Sequence, residues 1–156
     1  MTHVDVTSLE ILMGTKAVRP ISQGLEIEIL PTWIVDGEDR ASYTTLIRLV
    51  ECCREFHWRS DISPLQTADP LDCTCVQMCA RFKSPVSVYE HVAIVYTVTS
   101  VGRRSYDLRF QIMNAEDQLE HATVDQTLVF LDPITHQATQ PPEDVRAQLL
   151  AALRAD

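Results

Sequence analysis

The chain has 156 residues, of which 46% are hydrophobic and 22% charged. That is the usage of one ordinary globular domain, long enough to bury roughly 70% of the surface its unfolded chain exposes. Thirteen Lys and Arg stand against 22 Asp and Glu, a net charge of -9, which speaks against attraction to a phosphate backbone, so no nucleic-acid partner is expected. No apolar run reaches the 18 or so residues that span a bilayer, and the start of the chain lacks the basic, then apolar, pattern of a signal peptide. A cytoplasmic protein with no membrane partner is expected. The five cysteines are odd in number, with Cys52 and Cys53 adjacent and Cys73, Cys75 and Cys79 clustered. This is a poor disulfide framework and reads as free thiols in a reducing compartment.

Residues 1–20 carry a weak apolar pattern punctuated by Gly14 and Pro20 and read as an N-terminal extension to a single domain over residues 21–156. Leu25, Ile27 and Ile29 alternate with polar neighbours as a first strand, which Pro31 confines to an edge or an end. Val35-Asp36-Gly37-Glu38-Asp39 is turn chemistry, and Asp39 is positioned to cap a helix starting at Arg40. In that helix Leu46, Leu49, Val50, Cys53 and the pair Phe56/His57 recur at spacings of three and four, predicting one buried face over about 19 residues. A Ser-, Asp- and Pro-rich loop follows, and then strand signals dominate to Leu131: Cys73 to Phe82, Val88 to Val101, Tyr106 to Ile112 and Leu119 to Leu131. Ala147 to Arg154 reads as a short terminal helix. With one helix and no others between strands to make parallel crossovers, the order predicts an α+β fold whose antiparallel sheet of five strands curls around one long helix.

That order resembles the hotdog fold, and the resemblance extends to motifs. Val35 to Tyr43, running on into Leu49-Val50-Glu51-Cys52-Cys53-Arg54-Glu55, is similar to the acyl-CoA thioesterase signature of the 4-hydroxybenzoyl-CoA thioesterase family. Phe82-Lys83-Ser84-Pro85-Val86, Val101-Gly102-Arg103-Arg104-Ser105 and Phe130-Leu131-Asp132-Pro133 keep the same order, so the similarity covers roughly residues 25–147. Where the family commonly has Gly-His-Val-Asn, this chain has Asp39-Arg40-Ala41-Ser42, and Met78 falls where some relatives place a catalytic histidine. The resemblance implies hydrolysis of an acyl-CoA or acyl-carrier-protein thioester without a cofactor, by a homodimer or tetramer. Two other readings stay open: a non-catalytic acyl-binding or assembly subunit, and a dehydratase-like enzyme.

Thioester hydrolysis needs a base or nucleophile near the carbonyl and donors aimed at the developing oxyanion. The free N–H groups at the start of the helix, near Ser42 and Tyr43, supply such donors without any side chain. Asp36 matches the family's catalytic Asp, which implies a nucleophile or general base; a loop carboxylate that helps cap the helix is the alternative. Glu51 sits at a position similar to the helix carboxylate of other hotdog thioesterases, either turned inward as a base or solvated. Ser42 and Thr44 lie within reach of substrate or water, or serve as caps. Arg40, together with Lys83, Arg103 and Arg104 near strand turns, could meet the phosphates of coenzyme A or an acidic carrier. Cys73, Cys75 and Cys79 share strand parity, but three thiols spread over about 20 Å of one strand do not converge on an ion, so no metal is expected. His57, His91, His121 and His136 lie on different elements and read as surface or structural.

Overall fold

The computed structural model describes residues 18–31, 39–65 and 71–155. Among the described residues six strands and two helices follow one another: β1 (Val18–Ile21), β2 (Gly24–Glu28), α1 (Tyr43–His57), β3 (Asp72–Phe82), β4 (His91–Val101), β5 (Ser105–Asn114), β6 (Glu120–Leu131) and α2 (Glu143–Arg154). All strand pairs are antiparallel, in the order β1-β2-β4-β5-β6-β3. The architecture is the expected one, α+β with an antiparallel sheet against a long helix, but the sheet has six strands rather than five. The additional strand is β1, which hairpins back on β2 and buries Val18 in the core. Its Pro20 has no N–H to give a ladder, which an edge strand tolerates. Residues 18–20 of the expected extension thus belong to the sheet.

Period-two burial builds the core face of the sheet. Val92, Ile94, Tyr96 and Val98 alternate inward on β4, and Tyr106, Leu108, Phe110 and Ile112 do the same on β5. Onto this face α1 lays Leu46, Leu49, Val50, Cys53 and Phe56, at the helical spacings that the sequence shows. The backbones of β2 and β4 approach closely where Gly24 pairs with Val95: a Cβ on Gly24 would stand 2.0 Å from the Ile94 carbonyl oxygen, so only glycine fits. Beyond α1 the chain continues through a π turn (Trp58–Ile62) and a 3-10 turn (Ser63–Leu65). The terminal helix α2 begins at Glu143, four residues before the predicted start, with Glu143 and Asp144 in its first turn where acidic groups suit the dipole. It buries Val145 and Leu149 against β4 and the π turn.

Two further expectations are corrected. The long helix starts at Tyr43 and not at Arg40, because Arg40 bridges to Ser87 and Ala41 N–H donates to the Val86 carbonyl at 2.8 Å, holding both residues extended. Cys73, Cys75 and Cys79 do not share one face. A bulge between Cys75 and Gln77 inserts a residue, so Cys75 opposes the buried Leu128 while Cys79 opposes Asp125 on the outer face and is exposed. Among the described residues no helix is long and apolar enough to cross a membrane, and no group of three or more His, Cys, Asp or Glu side chains is arranged to hold a metal.

Candidate active site at the start of the central helix

Ser42 stands at the N-cap of α1 with extended backbone (φ -70, ψ 159). Its Oγ accepts from Thr45 N–H at 3.2 Å, and its carbonyl accepts from Leu46 N–H at 3.2 Å. The hydroxyl is therefore engaged as a cap, and it also lies 3.3 Å from the Thr44 hydroxyl. Tyr43 is the first helical residue, and among the described residues nothing accepts from its N–H. Such first-turn donors carry the positive end of the helix dipole. The Tyr43 ring is 65% exposed and lies against Phe82, with ring centroids 4.3 Å apart.

A cavity of about 350 Å³ opens at this point, walled on one side by Arg40, Ser42 and Tyr43 and on the other by Lys83, Ser84 and Val86. Backbone bonding between Ala41 and Val86 and between Val88 N–H and the Asp39 carbonyl (3.4 Å) sets these two stretches side by side. The structure thus brings Arg40, Ser42, Tyr43 and Lys83 to one cavity; Thr44 adjoins it through its contact with Ser42. Lys83 also pairs with Glu120 at 2.7 Å.

The remaining predicted residues lie elsewhere. Asp36 lies outside the described residues. Glu51 is eight residues along α1 from Tyr43, about 12 Å at 1.5 Å per residue. It borders a second, shallow cavity with Arg54, Cys75 and Met78. Its side chain is 36% exposed, ion-paired with Arg54, and accepts from Gln126 Nε2 at 2.8 Å. Around it, Arg54 Nη1 and Gln126 Oε1 are buried with no hydrogen-bond partner among the described residues. Arg103 and Arg104 do not cluster with Lys83. β3 ends where Phe82 faces Ala122 and β5 begins where Ser105 faces Val129, so the two turns lie seven residues apart along β6, about 23 Å. Arg103 instead adjoins Glu143 and Arg146 at the start of α2.

Read singly in the sequence, the histidines show no partners, yet two of them prove to be buried members of polar groups. His121 sits between Ser84 and Glu90, which come from segments 37 and 31 residues away. His57 lies between Asp61 (2.9 Å) and Tyr106 (3.0 Å), and Tyr96 Oη donates to the same Asp61 oxygen at 2.6 Å. Burial alone would raise the Asp61 carboxyl, but the bonds from His57 and Tyr96 outweigh it and hold the group below the ordinary carboxylate value. Burial raises the Tyr96 and Tyr106 phenols, and the Asp61 carboxylate adds to the effect at Tyr96, so both stay neutral and Tyr96 donates to Asp61. No periodicity announces either group; only Asp61, four residues from His57, had helical spacing as a signal.

Comparison with known proteins supplies the family and the fold. The family described as the thioesterase-like superfamily matches residues 36–149. A search of curated proteins finds no match. Among solved structures, a thioesterase superfamily protein from Jannaschia sp. CCS1 is 16% identical, with a TM-score of 0.75 over 98% of this chain and 94% of that one. The 1,4-dihydroxy-2-naphthoyl-CoA thioesterase Slr0204 from Synechocystis is 12% identical, with a TM-score of 0.68 over 80% and 93%. The hypothetical protein SAV2348 from Staphylococcus aureus, solved in complex with CoA, is 11% identical, with a TM-score of 0.74 over 85% and 84%. At these identities the structures share the fold, and the sequence match supplies the family. The chain belongs to the thioesterase-like superfamily and is built on its hotdog fold.

Proposed function

We propose that this protein hydrolyses an acyl thioester of coenzyme A or of an acyl carrier protein. The observation that carries the reading is the cavity at the start of α1, lined by Tyr43, whose N–H has no acceptor among the described residues, and walled by Arg40 and Lys83. A thioester carbonyl held against that N–H is polarised, and the oxygen charge that develops on attack is stabilised by the helix dipole. Asp36 or Glu51 supplies the carboxylate that activates the attacking group. In this reading Arg40 and Lys83, which line the cavity, meet anionic groups of the substrate, with Thr44 beside Ser42, while Arg103 and Arg104 act at a separate turn toward a nucleotide or carrier surface. The CoA-thioester class is supported by relatives whose names carry CoA, the Synechocystis enzyme and the Staphylococcus complex.

The working form in this reading is a homodimer. Among the described residues nothing pairs with the outer edge of β3, an 11-residue strand carrying exposed Val76, Met78 and Phe82, with the Tyr43 ring beside Phe82. An uncovered apolar edge of that length is a pairing surface, and joining two copies there brings a second protomer against both the Tyr43 cavity and the Glu51 cavity. Release of thiol from a panel of acyl-CoA and acyl-carrier thioesters tests the function. Turnover of at least one class is expected, and no release from any member would favour an acyl-binding subunit. A monomeric mass at micromolar concentration would refute the dimer.

A further inference from the structure

Ser84, at the wall of the Tyr43 cavity, begins a line that runs through His121 to Glu90 behind it. Ser84 Oγ lies 2.9 Å from His121 Nδ1, and His121 Nε2 meets the Glu90 carboxylate. Ser84 follows β3, Glu90 precedes β4 and His121 opens β6, so the fold assembles the three from separate segments. The His121 side chain is 2% exposed and that of Glu90 14%. An ionised carboxylate can only accept, so the imidazole donates from Nε2, and the neutral ring then offers Nδ1 as acceptor for the serine hydroxyl. That hydroxyl has a second acceptor in the Glu120 carbonyl at 3.1 Å.

The backbone fixes the line at both ends. Lys83 N–H and Ser84 N–H donate to the His121 carbonyl at 2.8 and 3.3 Å, and Ser87 N–H donates to the other Glu90 oxygen at 3.4 Å. The serine is tied to the oxyanion side as well, because Val86 accepts from Ala41 and Ser84 shares the cavity wall with Tyr43. Desolvating an imidazole and a carboxylate is costly, and apolar side chains would fill the same space at less cost. Hydroxyl, imidazole and carboxylate in hydrogen-bonded sequence are the order of a nucleophile, its base and the group that orients the base.

We infer that Ser84 is a catalytic nucleophile toward the thioester, with His121 as its base and Glu90 as the positioning residue. The inference rests on the hydrolase reading above and gives it an attacking group. The Oγ–C bond forms as the hydroxyl proton passes to Nδ1 and the carbonyl electron pair moves onto oxygen. Collapse breaks the C–S bond, and the departing sulfur takes the proton from His121. Water, held by the carboxylate of the reading above and passing its proton to His121 Nδ1, then adds to the acyl ester; the C–Oγ bond breaks, Oγ takes that proton back from His121, and the free acid is released.

Two measurements on the full-length protein test this. In the first, wild type, Ser84→Ala, His121→Gln and Glu90→Gln are exposed to a fluorophosphonate, an electrophile that reacts with activated serines, and the site is read by peptide mass spectrometry. Wild type should label at Ser84, Ser84→Ala should lose that label, and His121→Gln and Glu90→Gln should label at least about tenfold more slowly. In the second, thiol release is followed, and Ser84→Ala should lose about 100-fold or more in kcat with little change in KM. Ser84→Ala removes a single oxygen at the cavity wall and is sufficient on its own should the two buried variants fail to fold. Thioester turnover by wild type with no label at Ser84, or wild-type kcat in Ser84→Ala, would overturn the inference and leave the hydrolase reading standing. A label at Ser84 with no release from any thioester would instead overturn the hydrolase reading, and with it the thioester as the target of the serine.

Discussion

Replacing Tyr43 by proline isolates one backbone donor. Proline at the first helical position is well tolerated, since that N–H has no intrahelical acceptor and φ is already near the proline value. Proline also restricts the residue before it to extended backbone, and Ser42 is already there at φ -70 and ψ 159. The Ser42 cap on Thr45 N–H does not involve Tyr43, so α1 should keep its start. What Tyr43→Pro removes is the donor, together with an exposed ring that packs on Phe82. Tyr43→Ala removes the ring alone and is the control, and Tyr43→Phe removes only the hydroxyl. Loss of one oxyanion donor costs about 2.7–4 kcal/mol of transition-state stabilisation, so kcat should fall about 10²–10³-fold in Tyr43→Pro. Tyr43→Phe should retain most of its turnover, and Tyr43→Ala should change KM more than kcat. Steady-state thiol release, paired with thermal melting to show that each variant folds, gives the answer. A folded Tyr43→Pro protein with wild-type kcat would mean that the carbonyl is held elsewhere.

Three other perturbations have definite expected outcomes. Asp36→Asn should lower kcat about 10²–10⁴-fold with KM little changed and Glu51→Gln should be mild; the reverse pattern moves the role to Glu51, and full activity in both removes carboxylates from the mechanism. Because the folded Asp61 carboxyl is held below its unfolded value, its contribution to stability is complete above about pH 4 and is lost as the pH falls further; Asp61→Asn should cost about 1–3 kcal/mol in urea unfolding at pH 7 and less on acidification, and an undiminished cost at pH 2.5 would refute the linkage. Burial pushes the Cys52 and Cys73 thiols up to about 11 and that of Cys53 well above 9.0, so at pH 8 a thiol reagent should modify exposed Cys79 in the native protein and Cys52 and Cys53 only after unfolding; rapid native modification of Cys53 would contradict its place in the core.

The strands that alternate cleanly were legible because one face of each is buried: Tyr106, Leu108, Phe110 and Ile112 needed no further information. β1 escaped because it has only four residues and contains Pro20, which reads as a break until an edge position is known. Both Asp39 and Ser42 are capping residues, and the choice between them was made by a tertiary contact, the pairing of Arg40 and Ala41 with the loop before β4. Pro141-Pro142 masked the start of α2, although a proline just ahead of acidic first-turn residues is an ordinary helix entry. The bulge that turns Cys79 outward has no sequence mark, since one inserted residue inverts parity silently. For the site, helix geometry alone leads to free N–H groups near Ser42 and Tyr43, but which residue begins the helix is decided by the tertiary contact of Arg40 and Ala41. The line of Ser84, His121 and Glu90 was not legible, because it depends on which segments the sheet sets side by side.

The most direct test is a crystal structure of the protein with an amide-linked acyl-CoA analogue, which keeps the carbonyl but resists hydrolysis. Its carbonyl oxygen should lie about 2.7–3.1 Å from Tyr43 N, in the cavity walled by Arg40, Lys83 and Ser84. An acyl group bound with its carbonyl away from the start of α1 would contradict the proposed oxyanion site.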